Sequence, residues 1–207
     1  CAVLVNKREC VIVGGGPGGV MAGLLFARAG LKVAVLEKHA DFLRDFRGDT
    51  VHPSTLELFH QLGMLEDLLR LPHSRLEQAS IHIAGRQMKV VDFRYLPVAA
   101  PYIAMMPQWD LLDFMATRAM QFPGFDLHME TEAVDLLYDK TERVCGVETR
   151  DGPKLDARLV IAADGSRAGL RGKAVLPLQH HAAPRAVLGF RISKPDAPGG
   201  AGFGTGQ

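Results

Sequence analysis

The stretch RECVIVGGGPGGVMAGLLFARAGLKVAVLEK, residues 8–38, decides the fold of this chain. Five of the six positions from Gly14 to Gly19 are glycine, and they directly follow a short apolar run rich in β-branched residues. Glycine weakens the interior of a helix or strand, so this density indicates a turn whose backbone another group approaches closely. The flanking patterns predict a β-turn-α-β unit with elements at residues 10–13, 17–29 (a helix begun by Pro17) and 31–37.

Three of these glycines have the spacing of a dinucleotide-binding fingerprint. Gly14, Gly16 and Gly19 match G-x-G-x-x-G between a predicted strand and a predicted helix, which is the context that the motif requires. In this motif the first glycine permits the tight turn, the second lets a pyrophosphate reach the main chain, and the third allows close packing. Glu37 ends the second strand 18 positions after Gly19, where a carboxylate accepts ribose hydroxyls and disfavours a 2′-phosphate. The alternative is a turn that serves packing only, and the fingerprint leaves FAD and NAD open.

The composition is that of an ordinary globular protein of 207 residues, 47% of them hydrophobic and 23% charged. The formal net charge is +1 without a basic stripe, which argues against a nucleic-acid partner. Three scattered cysteines are typical of free thiols in a reducing compartment, and not of a disulfide framework or metal site. The longest apolar run is too short to span a bilayer, and no leader peptide is visible. We therefore expect a cytoplasmic protein with no metal site and no membrane span.

Beyond residue 38 the chain alternates between helical and strand-like patterns. An amphipathic helix within 52–71 should be interrupted near Gly63, a hairpin within 80–93 should turn at Gly85, and another helix should begin at Gln108. Further strands are predicted at residues 125–129, 132–139, 143–150, 157–165 and 185–193, the fourth of them buried. The order of elements predicts the α/β class.

Four segments together resemble one enzyme family. They are the fingerprint with Glu37, FRGDTVHPSTLELFHQLG at 46–63, MMPQWDLLDFM at 105–115, and LVIAADGSRAGLR at 159–171, which is similar to the motif D-G-x-x-S-x-x-R. The resemblance is to the FAD-dependent aromatic-ring monooxygenases, the para-hydroxybenzoate hydroxylase-like group. In that family NAD(P)H reduces the flavin, and one atom of O₂ is transferred to an electron-rich ring. The cofactor carries the redox chemistry, so no nucleophilic side chain is required and no catalytic residue is predicted.

The resemblance implies an α/β, Rossmann-type FAD-binding domain with a βαβ start and inserted strands, followed by the beginning of a β-sheet substrate domain. The expected bounds are 1–172 for the FAD-binding domain, with residues 73–122 contributing to the substrate side, and 173–207 for the second domain. FAD is the implied cofactor and NAD(P)H the co-substrate. A small aromatic molecule and O₂ are the implied partners, and a homo-oligomer is left open.

Carried over residue by residue, the resemblance implies a set of FAD contacts. Arg47 would lie beside the pyrophosphate and the route of NAD(P)H, and Lys38 and Val134 would flank the adenosine. Gln108 would bind the ribityl or phosphate region, and Asp164 a ribityl hydroxyl. The full set is Gly14, Gly16, Pro17, Gly18, Gly19, Glu37, Lys38, Arg47, Gln108, Val134, Asp164 and Gly165. Each residue taken singly has another interpretation. Arg47 would be a surface arginine and Gln108 a helix cap, while Asp164 would belong to an ordinary turn and Val134 to the core.

The chain departs from the family pattern in two places. Ala168 stands where the Asp-Gly motif has serine, so that hydroxyl hydrogen bond is either absent or supplied by Ser166 from a shifted position. Nothing after Arg171 resembles the family's later G-D-A-x-H segment. We therefore expect an N-terminal part of the family architecture, with no hydroxylase turnover of its own. The alternatives are a non-catalytic FAD-binding remnant and an NAD-dependent dehydrogenase.

Overall fold

The structure is a computed structural model, which describes residues 8–43, 49–83, 86–165, 169–174, 176–177 and 203–204. The chain divides into two compact units. Unit 1 comprises residues 1–43 and 112–184, and unit 2 comprises residues 44–111 and 185–207. The predicted strand at 185–193 lies outside the described residues. The predicted boundary at residue 172, between a FAD-binding and a substrate domain, stays a prediction.

The described residues contain twelve strands and five α-helices, joined by turns and loops. The strands are β1 (Arg8–Val13), β2 (Val33–Leu36), β3 (Thr50–Val51), β4 (Ser74–Leu76), β5 (Gln78–Ile83), β6 (Arg86–Asp92), β7 (Ile103–Met105), β8 (Phe125–His128), β9 (Ala133–Tyr138), β10 (Val144–Thr149), β11 (Leu155–Ala162) and β12 (Phe203–Gly204). The helices are α1 (Pro17–Arg28), α2 (Pro53–Gln61), α3 (Leu65–Leu68), α4 (Gln108–Ala119) and α5 (Gly169–Lys173). None of the described helices is long and apolar enough to cross a membrane.

Unit 1 is built on a six-stranded sheet with the order β8-β2-β1-β11-β10-β9. The first four strands are parallel, whereas β10 and β9 run antiparallel to their neighbours. Val11 of β1 lies opposite Ala34 on one side and Val160 on the other. The predicted β-turn-α-β unit is confirmed as β1, α1 and β2. The carboxyl ends of four parallel strands therefore meet at one edge of the sheet.

The core of unit 1 lies on both faces of this sheet. Helix α1 packs across β1, β2 and β8. Gly23 permits that approach, because a Cβ there would lie 2.6 Å from Val35 Cγ2 and 2.8 Å from the Phe125 ring. On the other face of the sheet a buried cluster contains Val11, Ala34 and Leu36 of β1 and β2 together with Val147 of β10. These contacts fix β1, α1 and β2 firmly against one another.

Strand β11 differs from its prediction as a buried strand. Ala157 is 1% exposed, but Leu159 is 49% exposed. The reason is that β11 lies between β1 and β10 and has backbone partners on both sides, while α1 packs mainly on β1, β2 and β8. A central place in the hydrogen-bonded ladder does not by itself bury the side chains of a strand.

Unit 2 contains two three-stranded sheets, β3-β7-β4 and β12-β5-β6. The predicted hairpin is confirmed as the antiparallel pair β5 and β6. The predicted helix is also confirmed, with its interruption: α2 ends at Gln61, and Gly63 adopts a φ of +72° before α3 begins. Phe59 of α2 is fully buried, as is Leu68 of α3. The division between the units falls within α4, between Leu111 and Leu112.

Candidate functional site

The turn from Gly14 to Gly19 joins the carboxyl end of β1 to α1, and two of its glycines are required by the chain itself. Gly14 has a φ of +109°, and a Cβ there would collide with the carbonyl group of Ala163. Its N–H donates to the Leu36 carbonyl at 2.8 Å. A Cβ on Gly19 would overlap the carbonyl oxygen of Gly14. The predicted roles of these two glycines, a tight turn and close packing, agree with this geometry.

The other predicted glycines of the turn face open space. A Cβ on Gly16 or Gly18 would meet no atom of the described residues within 4 Å. Gly16 is the N-cap of α1 with φ −74° and ψ 178°, and no side chain caps the helix there. Pro17 has no N–H to leave unpaired, and the first turn of α1 carries no acidic residue. The positive end of α1 therefore faces an unfilled region, which is the arrangement that binds phosphate groups.

Glu37 lies against the same turn, because β2 is the parallel neighbour of β1. The residue is 2% exposed. Its Oε2 accepts a hydrogen bond from the Gly15 N–H at 2.8 Å, and its Oε1 accepts one from the His39 N–H at 3.0 Å. The ring Nδ1 of His39 lies 2.6 Å from the same Oε1. The Glu37 carboxylate therefore contacts both the glycine turn and His39.

A second turn, Asp164 and Gly165, follows β11, the other parallel neighbour of β1. The Ala163 N–H donates to the Val13 carbonyl at 2.7 Å, which ties the two strand ends together. Gly165 has a φ of +88°. Asp164 Oδ2 lies 3.5 Å from the Leu170 N–H, whereas Oδ1 is buried and has no hydrogen-bond partner among the described residues. A buried oxygen without a donor is costly, so this position suits a hydroxyl group of a ligand.

With both turns in place, a comparison with known families decides between the dinucleotides. The family model described as "FAD binding domain" matches residues 7–198. This chain belongs to that FAD-binding family. The family includes flavoprotein monooxygenases, so the chain is an FAD-binding domain of an oxidoreductase family and has the corresponding mixed α/β fold.

Three similar proteins show the range of the family. The chain is 30% identical over 172 residues to 6-methylpretetramide 4-monooxygenase of Streptomyces rimosus, covering 82% of this chain and 41% of that protein. It is 31% identical over 172 residues to menaquinone reductase of Mycobacterium tuberculosis (strain CDC 1551 / Oshkosh), covering 81% and 40%. The crystal structure of p-nitrophenol 4-monooxygenase from Pseudomonas putida DLL-E4 matches with a TM-score of 0.71 at 25% identity, covering 82% of this chain and 44% of that one. The chain thus spans about two-fifths of the length of these curated relatives.

A cavity of about 400 Å³ lies against the residues that follow β2, and Glu37 is not among the residues that line it. Lys38, which the resemblance places at the adenosine of FAD, lines it. Its other walls are Ala40, His128, residues 130–132, residues 149–153 and Leu155. Backbone hydrogen bonds hold this wall against the end of β2: Glu37 N–H donates to the His128 carbonyl at 2.8 Å, and Thr131 N–H donates to the Glu37 carbonyl at 2.8 Å. Val134, half-buried in β9, is not among the lining residues, and its contact with adenosine stays a prediction.

Sequence reasoning missed several residues of this site. Gly15 is outside the fingerprint spacing, yet a Cβ there would lie 2.8 Å from the Glu37 Cβ. His39 has no motif that marks it. Residues 128–131 reach the end of β2 only because β8 pairs with β2, a long-range pairing that local pattern does not specify. The one signal available was the glycine at position 15 opposite a strand that ends in a carboxylate.

The two remaining predicted contacts belong to unit 2 or lie outside the described residues. Gln108 is the first residue of α4, and its N–H donates to Asp49 Oδ1 at 3.3 Å. Asp49 is 8% exposed, and its carbonyl accepts from the Met106 N–H at 3.0 Å, so it braces the start of α4. Arg47 lies outside the described residues, as do Ser166 and Ala168. The roles of Gln108 and Arg47 toward FAD therefore remain predictions.

The described residues include further reactive side chains, among them two cysteines. No group of three or more His, Cys, Asp or Glu residues is arranged there to hold a metal ion. Cys10 and Cys145 are free. Burial raises the pKa of the Cys10 thiol to about 11, so this thiol stays protonated at neutral pH and is a poor nucleophile.

Proposed function

We propose that the whole protein is an NAD(P)H-dependent flavoprotein monooxygenase that transfers one atom of O₂ to a small aromatic molecule. The observation that carries the cofactor assignment is the open space over Gly16 and Gly18, at the uncapped start of α1. The monooxygenase activity is supported by the relatives that bear this name. The choice of an aromatic substrate is supported by the family resemblance of residues 46–63, 105–115 and 159–171.

The residues at the two turns fit FAD. The pyrophosphate would lie over the Gly14–Gly19 turn. There its oxygens can accept hydrogen bonds from the N–H groups of Gly18 and Gly19, in the first turn of α1. The ribose hydroxyls of the adenosine would donate to Glu37. A hydroxyl of the ribityl chain would donate to the unpartnered Oδ1 of Asp164. Each assignment pairs a group of the chain with the ligand group that has the opposite hydrogen-bonding or electrostatic character.

The remaining contacts are proposed on the family resemblance. Lys38 would flank the adenosine from the cavity beside Glu37, and Val134 would do so through its backbone. Gly165 would let the backbone pass close to the cofactor. Its φ of +88° lies in the region that favours glycine, which has no side chain to obstruct that approach. Gln108 would bind the ribityl or phosphate region, and Arg47 would lie beside the pyrophosphate and the entry of NAD(P)H.

The chemistry is divided between cofactor and chain. When bound, FAD accepts electrons from NAD(P)H and activates O₂. The chain's own part would be to bind the ribose of the adenosine at Glu37 and the ribityl chain at Asp164, and to hold the phosphates at the positive end of α1. These contacts fix the position of the cofactor relative to the sheet. No side chain is assigned a covalent or proton-transfer role.

The test uses the whole protein and not residues 1–207 alone, for which no hydroxylase turnover is expected. It measures oxygen uptake, hydrogen peroxide and hydroxylated product together, with added FAD, NADH or NADPH, and a panel of phenols and aromatic acids. We expect product in proportion to oxygen consumed for at least one ring substrate. A Gly16→Val variant serves as the control, since it should lose the flavin and all three signals. Oxygen uptake that yields peroxide alone across the panel contradicts the monooxygenase assignment.

A flavin-dependent reductase is a second candidate, favoured by the 31% identity to a menaquinone reductase. The same assay separates the two, because a reductase would consume NAD(P)H and reduce an added quinone or alkene without transferring oxygen. A non-catalytic FAD-binding domain would bind the flavin and give neither result.

We also propose a cytoplasmic location, and a homo-oligomer is left open for the quaternary structure. The location is supported by the two free cysteines of unit 1, since Cys10 and Cys145 are typical of a reducing compartment. Light scattering of the purified protein tests the oligomer, and a monomeric mass at every concentration would exclude it.

A further inference from the structure

His39 makes an arrangement with Glu37 that neither the fingerprint nor the family resemblance predicts. Three N–H groups converge on the Glu37 carboxyl group: Gly15 N–H on Oε2, and the backbone and ring of His39 on Oε1. The distances are 2.8, 3.0 and 2.6 Å in that order. The carboxyl group is therefore fixed in plane and in rotation before any ligand binds.

The shortest of these bonds comes from the histidine ring. An ionised carboxylate only accepts hydrogen bonds, so we assign the hydrogen of the 2.6 Å contact to Nδ1 of His39. The side chain of His39 is 48% exposed, so the ring lies over the carboxylate from the solvent side and is not part of the core. Its removal should leave the packing of unit 1 in place.

His39 also joins Glu37 to the wall of the neighbouring cavity. The Glu130 N–H donates to the His39 carbonyl at 3.0 Å, next to the bond from Thr131 N–H to the Glu37 carbonyl. Glu130 and Thr131 line the cavity of about 400 Å³ together with Lys38. One residue thus connects the carboxylate, the turn and the cavity where the adenosine end of FAD is proposed to lie.

We propose that His39 is a positioning residue, whose ring holds the Glu37 carboxylate in the orientation that accepts the ribose hydroxyls of FAD. The proposal rests on the assignment of Glu37 to that ribose. Because FMN lacks the adenosine, His39 contributes to the affinity for FAD and not to that for FMN. It therefore sets the preference of the site for the larger flavin.

The experiment titrates FAD and FMN separately into the full chain, with flavin fluorescence as the readout. His39→Ala keeps the backbone N–H and removes only the ring bond, and it should weaken FAD binding about tenfold without changing FMN binding. His39→Asn places an amide N–H at the position of Nδ1 and should restore most of the FAD affinity. His60→Ala, which removes an exposed histidine of α2, is the matched control and should change neither.

A double variant separates action through Glu37 from a direct contact. Glu37→Gln should weaken FAD binding, and Glu37→Gln with His39→Ala should bind FAD no more weakly than Glu37→Gln alone, since His39 acts through that carboxylate. If Glu37→Gln weakens FAD binding but His39→Ala does not, the ribose assignment stands and the role of His39 is overturned. If Glu37→Gln leaves FAD binding unchanged, both are overturned. Equal losses of FAD and FMN in His39→Ala, or no rescue by asparagine, would make the pair a merely structural contact.

Discussion

The turns after β1 and β11 lie at the ends of neighbouring parallel strands. They differ in how many hydrogen bonds the chain itself makes to the acidic side chain at each turn. At the first turn Glu37 is held by three N–H groups, and Gly14 and Gly19 are packed against backbone. At the second turn Asp164 Oδ1 is buried without a partner among the described residues. The chain's own contacts hold the backbone of the first turn in place, whereas the second turn carries a buried oxygen without a donor among the described residues.

This difference has an energetic meaning. A turn that the chain's own contacts hold in place pays its ordering cost during folding. Its phosphate-binding N–H groups are therefore presented to a ligand in a fixed geometry. A buried oxygen without a donor costs roughly 1–3 kcal/mol in the ligand-free protein, and a ligand that donates to it recovers that energy on binding. Substitutions at the first turn should therefore separate into those that disrupt the fold and those that disrupt binding only. Substitutions at the second should change folding and binding in opposite directions.

The largest effect is expected at Gly19. Gly19→Val would drive a side chain into the carbonyl oxygen of Gly14, a backbone atom that cannot move aside cheaply. Overpacking of this kind costs roughly 1–3 kcal/mol and more where backbone is involved, so we expect a melting temperature lower by about 5–15 °C or no folded protein. Circular dichroism during heating measures this. A Gly19→Val protein as stable as the parent would show that α1 can shift away from β1, and that the first turn is not fixed.

Gly16→Val should give the opposite pattern, with the fold kept and the flavin lost. A Cβ there would meet none of the described residues within 4 Å, and its φ of −74° is open to any residue. The melting temperature should therefore stay within about 2 °C of the parent. The branched side chain would occupy the space proposed for the pyrophosphate, and FAD affinity should fall more than about a hundredfold. Gly172→Val, also in open space but in α5, is the matched control. A Gly16→Val protein that purifies as yellow as the parent contradicts the site assignment.

The sequence predicted the first turn better than the second, for a physical reason. Strand, glycine turn, helix and acidic residue lie within 31 residues, so local periodicity and the backbone requirements of glycine specify them. The exposure of Leu159 in β11 depends instead on which helix covers that strand, and this is a tertiary property. The same applies to residues 128–131, which meet Glu37 only through the pairing of β8 with β2. His39 lies two positions from a predicted residue, but its contact follows from side-chain geometry that no spacing encodes.

Arg47 tests whether a residue outside both turns contributes to reduction of the flavin. Arg47→Ala should weaken NAD(P)H binding about ten- to a hundredfold, since a charge-assisted contact with phosphate is worth roughly 1.5–3 kcal/mol. Stopped-flow reduction of the bound flavin at varied NADH and NADPH gives this affinity. Arg70→Ala removes an arginine paired with Asp67 on the surface of unit 2 and should leave reduction unchanged. Equal reduction kinetics in Arg47→Ala and the parent would mean that Arg47 is a surface arginine with no role in reduction of the flavin.

The smallest effect, and the sharpest test of the comparison, is expected at Asp164. Asp164→Ala removes the unpartnered Oδ1 together with a weak 3.5 Å contact to the Leu170 N–H, so the ligand-free protein should be as stable as the parent or more stable. FAD affinity should nevertheless fall by about three- to tenfold, because the ribityl hydroxyl loses its acceptor. Asp156→Ala, at an exposed position of β11, the strand that precedes this turn, should change neither quantity by more than its experimental error. Melting curves with and without FAD give both numbers from one sample. If Asp164→Ala lowers the melting temperature of the ligand-free protein, the oxygen stabilises the turn itself, and the contrast between the two turns disappears.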